Sequence, residues 1–369
     1  MRRNVFALVV TIFALLLPAC SPPMPDYLVW AFQTPRPFLA GNSQAYTPVV
    51  TQDLIFFCGG YAWNDASGLF ALGTNDGLFR WKKNVGKCNA APALLGATLV
   101  VVADERHGEM LVLYGLDPGS GREQWKITLP NHPIYHVTLA ISDQFVYMAT
   151  ANGEVLRINA ADGSAQSFTL PGRPSNSDQA VWITATKGIV YFGFGKVTWR
   201  WHPGETHPQV GAHLSRLAGR PNSVGAADRI LFLGEREDAG VRAFELETGR
   251  EIWLRFYSRV LSMPLLADGV VLVNVWKPRF SLRALDLHSG RELWSVNDGS
   301  FQPPSASGDL IVAAGERAVY VLDSQTGRVL ATVRSPAEVL TTPIVVGDTV
   351  LFATAQGALY RARLPLQEN

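Results

Sequence analysis

Three kinds of residue in this chain could do chemistry: histidines at ligand-like spacing, acids repeated at fixed intervals, and three cysteines. His132 and His136, in "NHPIYHV", stand four apart, and "HPGETHPQVGAH" adds His202, His207 and His213. On a helix an i, i+4 pair would share a face and could hold zinc. Pro133 and Pro203 put both stretches in loops instead, and no acid stands near the first pair. The reading is of histidines at a solvated rim, with no metal. Nucleophilic and phosphate chemistry has no foothold, because G-x-S-x-G, a Gly-rich phosphate loop and H-E-x-x-H are all missing from the sequence. The repeated acids, Asp117, Glu245, Asp286 and Asp323, with Asn159 in the same place, are oxygen donors of the kind calcium takes. A catalytic residue would normally occur once; recurrence at one place in every unit is what a structural turn requires.

Those acids belong to an internal repeat. "VRAFELETGREIW" and "LRALDLHSGRELW" lie 41 residues apart and match at most positions. Anchored on the glycine of each turn, the units fall at Gly77, Gly121, Gly163, Gly204, Gly249, Gly290 and Gly327. Trp81, Trp125, Trp253 and Trp294 stand four residues after their glycines. Short alternating strands flank each turn, as in "ADGVVLVNVW" and "GDLIVAAG". In Asp-x-x-Thr-Gly, the carboxylate and hydroxyl can bond nearby amides while glycine takes the left-handed conformation. The tryptophan opens the next strand and is large enough to fill a wedge between sheets. A four-stranded unit of this kind buries its faces only by stacking on neighbours, which describes a propeller blade. The last unit, "TTPIVVGDTVLFATAQGALYRARLP", has three strands; Trp30, in "DYLVWAFQTP", supplies an orphan fourth. Joined, they give an all-β, eight-bladed propeller over 27–369 that leaves no exposed sheet edge at the seam. The strands "VVVAD", "VAAG" and "FATA" are read as the innermost ones, small and apolar.

Charge excludes one class of function. The formal net charge is +1, with no basic cluster of the kind nucleic acid demands. The N-terminus "MRRNVFALVVTIFALLLPAC" carries two arginines and an apolar run from Val5 to Leu17, which is a secretory signal and short for a membrane span. "LPAC" resembles a bacterial lipobox, which implies removal of residues 1–19, lipidation of Cys20 and a tether over 20–26. Ser21 stands where an inner-membrane retention signal would place Asp, so the resemblance points to the periplasmic face of the outer membrane. Loss of Arg2 and Arg3 leaves 30 basic against 31 acidic residues, a net charge of −1. In an oxidising envelope Cys58 and Cys88 could pair, or could stand apart as small hydrophobes.

The repeat resembles the PQQ-type propeller repeat of quinoprotein dehydrogenases and of the lipoprotein subunit of the outer-membrane β-barrel assembly machinery. It is strong at 117–125, 245–253 and 286–294 and degenerate around 159–208. The dehydrogenase side implies PQQ and calcium on the axis above adjacent cysteines, with a catalytic acid. This chain has no adjacent cysteines and no acid cluster outside the turns, so neither cofactor nor catalytic residue is assigned. The assembly side implies a monomeric, non-catalytic scaffold, lipid-anchored in the envelope, that holds a barrel-assembly protein through mid-chain loops. Its Leu-rich, Arg-containing loop is similar to "HLSRLAGRPNSVGAADRIL", which nominates Leu214, Arg216 and Leu217. In the next loop, "FYSRVLSMP", Ser258 and Arg259 stand where the family carries paired aspartates, so Arg259 reverses the charge offered to a partner. Trp63 and Trp276 lie in insertions at blade edges, where partner contact and loop packing are both open. Trp199 and Trp201 share one strand face.

Overall fold

The computed structural model describes residues 27–34, 47–59, 68–105, 110–130, 138–150, 153–171, 181–214, 221–227, 229–235, 240–257, 260–261, 264–267, 269–276, 280–298 and 302–365. Cys20, Trp63, His132, His136, Arg216, Leu217 and Arg259 lie outside the described residues. The described chain forms eight antiparallel sheets, each an up-and-down meander, and together they make the propeller. Blade 1 runs from Val49 to Lys83, blade 2 from Lys87 to Pro130, and blade 3 from Thr138 to Thr169. Blade 4 spans Trp182 to His213, blade 5 Pro221 to Arg255, blade 6 Leu265 to Val296 and blade 7 Ser305 to Arg334. Blade 8 is composite: Ile344–Val346, Thr349–Ala353 and Ala358–Arg363 are completed by Leu28–Gln33 from the opposite end of the chain. Phe32 pairs with Leu359 and Trp30 with Arg361. Blade 2 departs from the plan, since Lys87–Cys88 and Ala93–Leu95 both pair with Thr98–Glu105.

The middle strands of each blade are the most apolar because both their faces meet neighbouring sheets. Leu69, Val101, Val271 and Leu351 are fully buried there. This corrects one expectation. "VVVAD", "VAAG" and "FATA" belong to Thr98–Glu105, Leu310–Ala314 and Thr349–Ala353, which are second strands in their blades. The innermost strands are short and only partly buried, such as Trp182–Thr186, Ser305–Ser307 and Ile344–Val346. Burial on two faces, not proximity to the axis, selects the small apolar run.

Blades are clipped together by the repeated tryptophan. In blade 5, Trp253 turns its ring onto Gly290 of blade 6 and donates from Nε1 to Leu287 O at 3.0 Å. Gly290 has φ +65°, and a methyl there would sit 2.6 Å from the ring. Trp30, Trp81, Trp125 and Trp294 repeat the arrangement on Gly77, Gly121, Gly163 and Gly327, donating to Thr74, Pro118, Ala160 and Ser324 carbonyls. At the ring seam, Arg361 adds a second donor to Thr74 O at 2.5 Å, so blade 8 grips blade 1 twice.

Each acid closes its own corner. Asp286 Oδ1 accepts from the Ser289 amide and hydroxyl, and the Gly290 amide donates to Asp286 O. Asp117 and Asp323 do the same with Ser120 and Thr326, Glu245 accepts from the Thr248 hydroxyl, and Asn159 accepts from the Ala161 amide. Two anchors are corrections: Gly204 lacks a positive φ and covers no tryptophan, and Gly249 keeps its positive φ but lies against His213 and Ala212 in place of a tryptophan. The corner of blade 4 is rebuilt by Arg157 of blade 3, which donates to Glu205 O at 2.7 Å and to Pro203 O. Its guanidinium lies over Phe145, 3.9 Å from the ring centroid. Trp201 packs edge-on against Tyr147 of blade 3, and Trp199 stacks on Phe192.

Candidate partner-binding face

The meander sorts loops onto two faces. Hairpins between first and second strands, and the acid–glycine corners between third and fourth, return to one face, the corner face. Links between second and third strands, and the passages from blade to blade, open on the other, the connection face. Every site nominated from sequence for a protein partner is flanked by strand ends on the connection face. Strands Gln209–His213 and Pro221–Ala227 flank the first loop, Glu251–Arg255 and Leu265–Ala267 the second.

Leu214 does not serve as nominated. It is 1% exposed, its amide donates to Lys196 O at 2.7 Å, and it packs with Trp182, Leu231 and Phe244 between blades 4 and 5. A leucine ending an outer strand is turned inward wherever the neighbouring blade leaves a wedge to fill.

Aromatic residues gather on the same face at blades 5 and 6. Phe256 is 72% exposed just beyond the end of Glu251–Arg255. Beside it Tyr257 packs against the blade 6 core and lies under the Arg283 guanidinium, 5.6 Å from its ring centroid. Burial, with Glu292 adding to it, pushes the Tyr257 phenol up to about 12. Arg283 is held by Glu292 at 2.7 Å, and Arg242, one blade earlier, by Glu251 at 2.5 Å. Trp276 and Phe280 meet edge to face with centroids 4.5 Å apart at the second-to-third link of blade 6. Val260 is buried and bridges to Val275, pinning the start of the passage into blade 6. Aromatic side chains beside arginines held in place by carboxylates are the composition of protein-binding hot spots. Phe256 and Tyr257 were present in the quoted "FYSRVLSMP", but nothing in their spacing separated a strand end from a loop.

Farther around this face, Tyr320 donates its hydroxyl to Asp298, and Tyr114 donates to Glu105 with Lys126 over its ring at 5.0 Å. Burial first and then the hydrogen bond to Asp298 raise the Tyr320 phenol to about 12. Cys58 of blade 1 and Cys88 of blade 2 are bonded, S–S 2.01 Å, and both are buried.

The axis would be the place for a quinone and calcium. Calcium wants six or more oxygens, carboxylates among them, and a quinone wants flat aromatic partners. No carboxylate stands on an innermost strand among the described residues. Trp182 is the one aromatic residue on those strands, and it is buried against blade 5. The described residues do not fit that pair. His202, His207 and His213 do not converge; His207 Nδ1 lies 3.0 Å from the Thr206 hydroxyl, and no cluster of metal-ligating side chains occurs among the described residues.

Comparison with known proteins matches the geometry. Residues 26–255, 193–302 and 278–363 match the family model described as Outer membrane protein assembly factor BamB. The chain is 24% identical over 326 residues to that assembly factor of Yersinia pestis, covering 76% of this chain and 77% of the relative. It is 25% identical over 281 residues to that of Shewanella oneidensis, covering 70% and 68%. A tetrathionate hydrolase of Acidithiobacillus ferrooxidans is 23% identical over 269 residues, 64% of this chain and 52% of that protein. Among solved structures, a computationally designed protein, Ika8, superposes with a TM-score of 0.68 at 17% identity, covering 90% of this chain and all of that one. BamB from Moraxella catarrhalis superposes with a TM-score of 0.62 at 14% identity, covering 91% and 99%. With a family match running through every blade, this chain belongs to the PQQ-type propeller family of the outer membrane protein assembly factor BamB.

Proposed function

We propose that this protein is a non-catalytic propeller scaffold of the bacterial envelope, lipid-anchored through Cys20 on the periplasmic side of the outer membrane. On this reading its connection face holds another envelope protein during outer-membrane protein assembly. The observation that carries the reading is the family match over residues 26–363. The aromatic and arginine-rich strand ends of blades 5 and 6 support it, because they offer a partner large rigid anchors at low entropic cost. With Arg259 in place of an acid, the loop into blade 6 adds positive charge, so we infer a partner surface with acids opposite it. The test is purification of the tagged, full-length chain from membranes in mild detergent, with identification of what co-elutes. Recovery of an outer-membrane assembly protein is the expected result.

A second reading, an envelope enzyme on the same ring, rests on the identity to tetrathionate hydrolase. Quinone-dependent dye reduction or tetrathionate turnover by the pure protein, with no protein partner recovered, would favour it over the scaffold.

A further inference from the structure

The polypeptide enters the ring at Tyr27, whose carbonyl accepts from the Arg363 amide at 2.6 Å. Leu28–Gln33 fills the fourth place in blade 8, and fourth strands run from the corner face to the connection face. Leu28 pairs with Ala362 and Gln33 with Ala358, so Tyr27 stands at the corner end of blade 8, where its hydroxyl donates to Arg334 O of blade 7 at 3.0 Å, and the strand it opens carries Trp30 to the blade 1 corner. From Cys20 to Tyr27 the chain advances seven residues, a reach of about 25 Å at most. Doubling back along a six-residue strand to the connection face would consume about 20 Å of it.

Large apolar side chains are exposed along the entering strand and in the corner it grips, beside the Asp76–Arg80 pair. Val29, on the entering strand, is 40% exposed; Leu78 and Phe79, in the blade 1 corner gripped by Trp30, are 60% and 52% exposed. Ile252, Leu293 and Val329 are also exposed, near the corner ends of the fourth strands of blades 5, 6 and 7. The corner acids Asp76 and Asp117 have carboxyls held below the usual range by hydrogen bonds, from Arg80 and Ser120 respectively, and each stands beside an exposed arginine, Arg80 or Arg122, so neither corner carries a surplus of positive charge. Such a face is not drawn to anionic lipid by charge, whereas apolar side chains at a bilayer interface bind through buried area.

We propose that the corner face at blades 8 and 1 rests on the phospholipid bilayer that holds the Cys20 acyl chains, with Leu78 and Phe79 seated among the headgroups. The connection face is thereby turned away from the membrane, toward its protein partner. This orientation rests on the anchored reading above.

The test uses the full-length chain purified from membranes and reconstituted into vesicles of phosphatidylcholine, alone or with phosphatidylglycerol. A nitrobenzoxadiazole label is placed on Phe79→Cys, on Leu78→Cys or on Phe256→Cys; all three positions are exposed. Cys58 and Cys88 are bonded and do not take the label. The expected result is blue-shifted emission at 78 and 79, quenched by headgroup-region spin-labelled lipid in both vesicle types, with 256 unshifted and unquenched. Quenching at 256 and not at 78 or 79, or equal exposure at all three, overturns the orientation. Quenching confined to phosphatidylglycerol vesicles overturns the apolar contact. Mass spectrometry of the N-terminal peptide reads the anchor separately. An unmodified Cys20 removes the anchor and this orientation together, whereas an acylated Cys20 with 79 unquenched removes the orientation alone.

Discussion

Trp253 and Gly290 show how much of this fold rests on single side chains. Trp253→Phe keeps most of the packing but leaves the buried Leu287 carbonyl without its donor, a loss of about 1–3 kcal/mol. Trp253→Ala empties the wedge and costs about 3–5 kcal/mol. Gly290→Ala combines a strained φ with a methyl 2.6 Å from the Trp253 ring, so its cost should match that of Trp253→Ala. Denaturant melts of the three variants check the order. Acids and phenols make the stability two-sided in pH. The corner carboxyls Asp117, Asp286 and Asp323 are held below their ordinary value mainly by Ser120, Ser289 and Thr326. Their contribution is therefore complete above the ordinary carboxylate range and lost as pH falls through the lowered values. Tyr257 and Tyr320 are raised to about 12, so their contribution is complete below the ordinary phenol value of about 10 and lost as pH rises toward 12. Thermal midpoints should fall at both extremes. Tyr320→Phe should flatten the alkaline limb and leave the acid limb unchanged.

The bond between Cys58 and Cys88 staples the second strand of blade 1 to the first of blade 2, closing a loop with a sequence separation of 30. A loop of that length should contribute about 3–4 kcal/mol by restricting the unfolded chain. Reduction, or Cys88→Ser, should lower the midpoint accordingly, and hydrogen exchange should quicken first in blades 1 and 2. The corners and clips of blades 1, 2, 5, 6 and 7 were legible in the sequence, because a turn needing glycine and a wedge needing tryptophan leave few alternatives. The junction of blades 3 and 4 was not. There Arg157 performs with two backbone carbonyls what Trp and Gly perform at Gly77, Gly121, Gly163, Gly290 and Gly327, and no spacing announces that exchange. The innermost strands were misassigned because apolar runs report burial on both faces, which the second strands have and the axial strands lack. Leu214 was misread for a related reason. Leucine in a loop looks the same whether it faces a partner or its own core, and only the wedge between blades 4 and 5 decides.

The closed ring makes the whole molecule depend on its two ends. Trp30 clips blade 8 to blade 1 with Arg361 sharing its acceptor, and it lies on the strand that completes blade 8, so release of that strand from Ala358–Arg363 exposes two sheet edges at once. Trp30→Ala should therefore destabilise more than Trp81→Ala, although the local contacts are alike, and limited proteolysis should cut the Trp30 variant first near its N-terminal strand. That closure also fixes which face is which, and the functional account depends on it: the connection face for a protein, the corner face for the membrane. Phe256 and Leu78 sample the two faces, both exposed, the first beyond the connection end of a blade 5 strand and the second in the blade 1 corner. The most direct measurement is photo-crosslinking in growing cells, with benzoylphenylalanine placed at either position in the full chain. The account predicts a covalent adduct with an outer-membrane assembly protein from position 256 and none from 78. A protein adduct from 78 with none from 256 would contradict it.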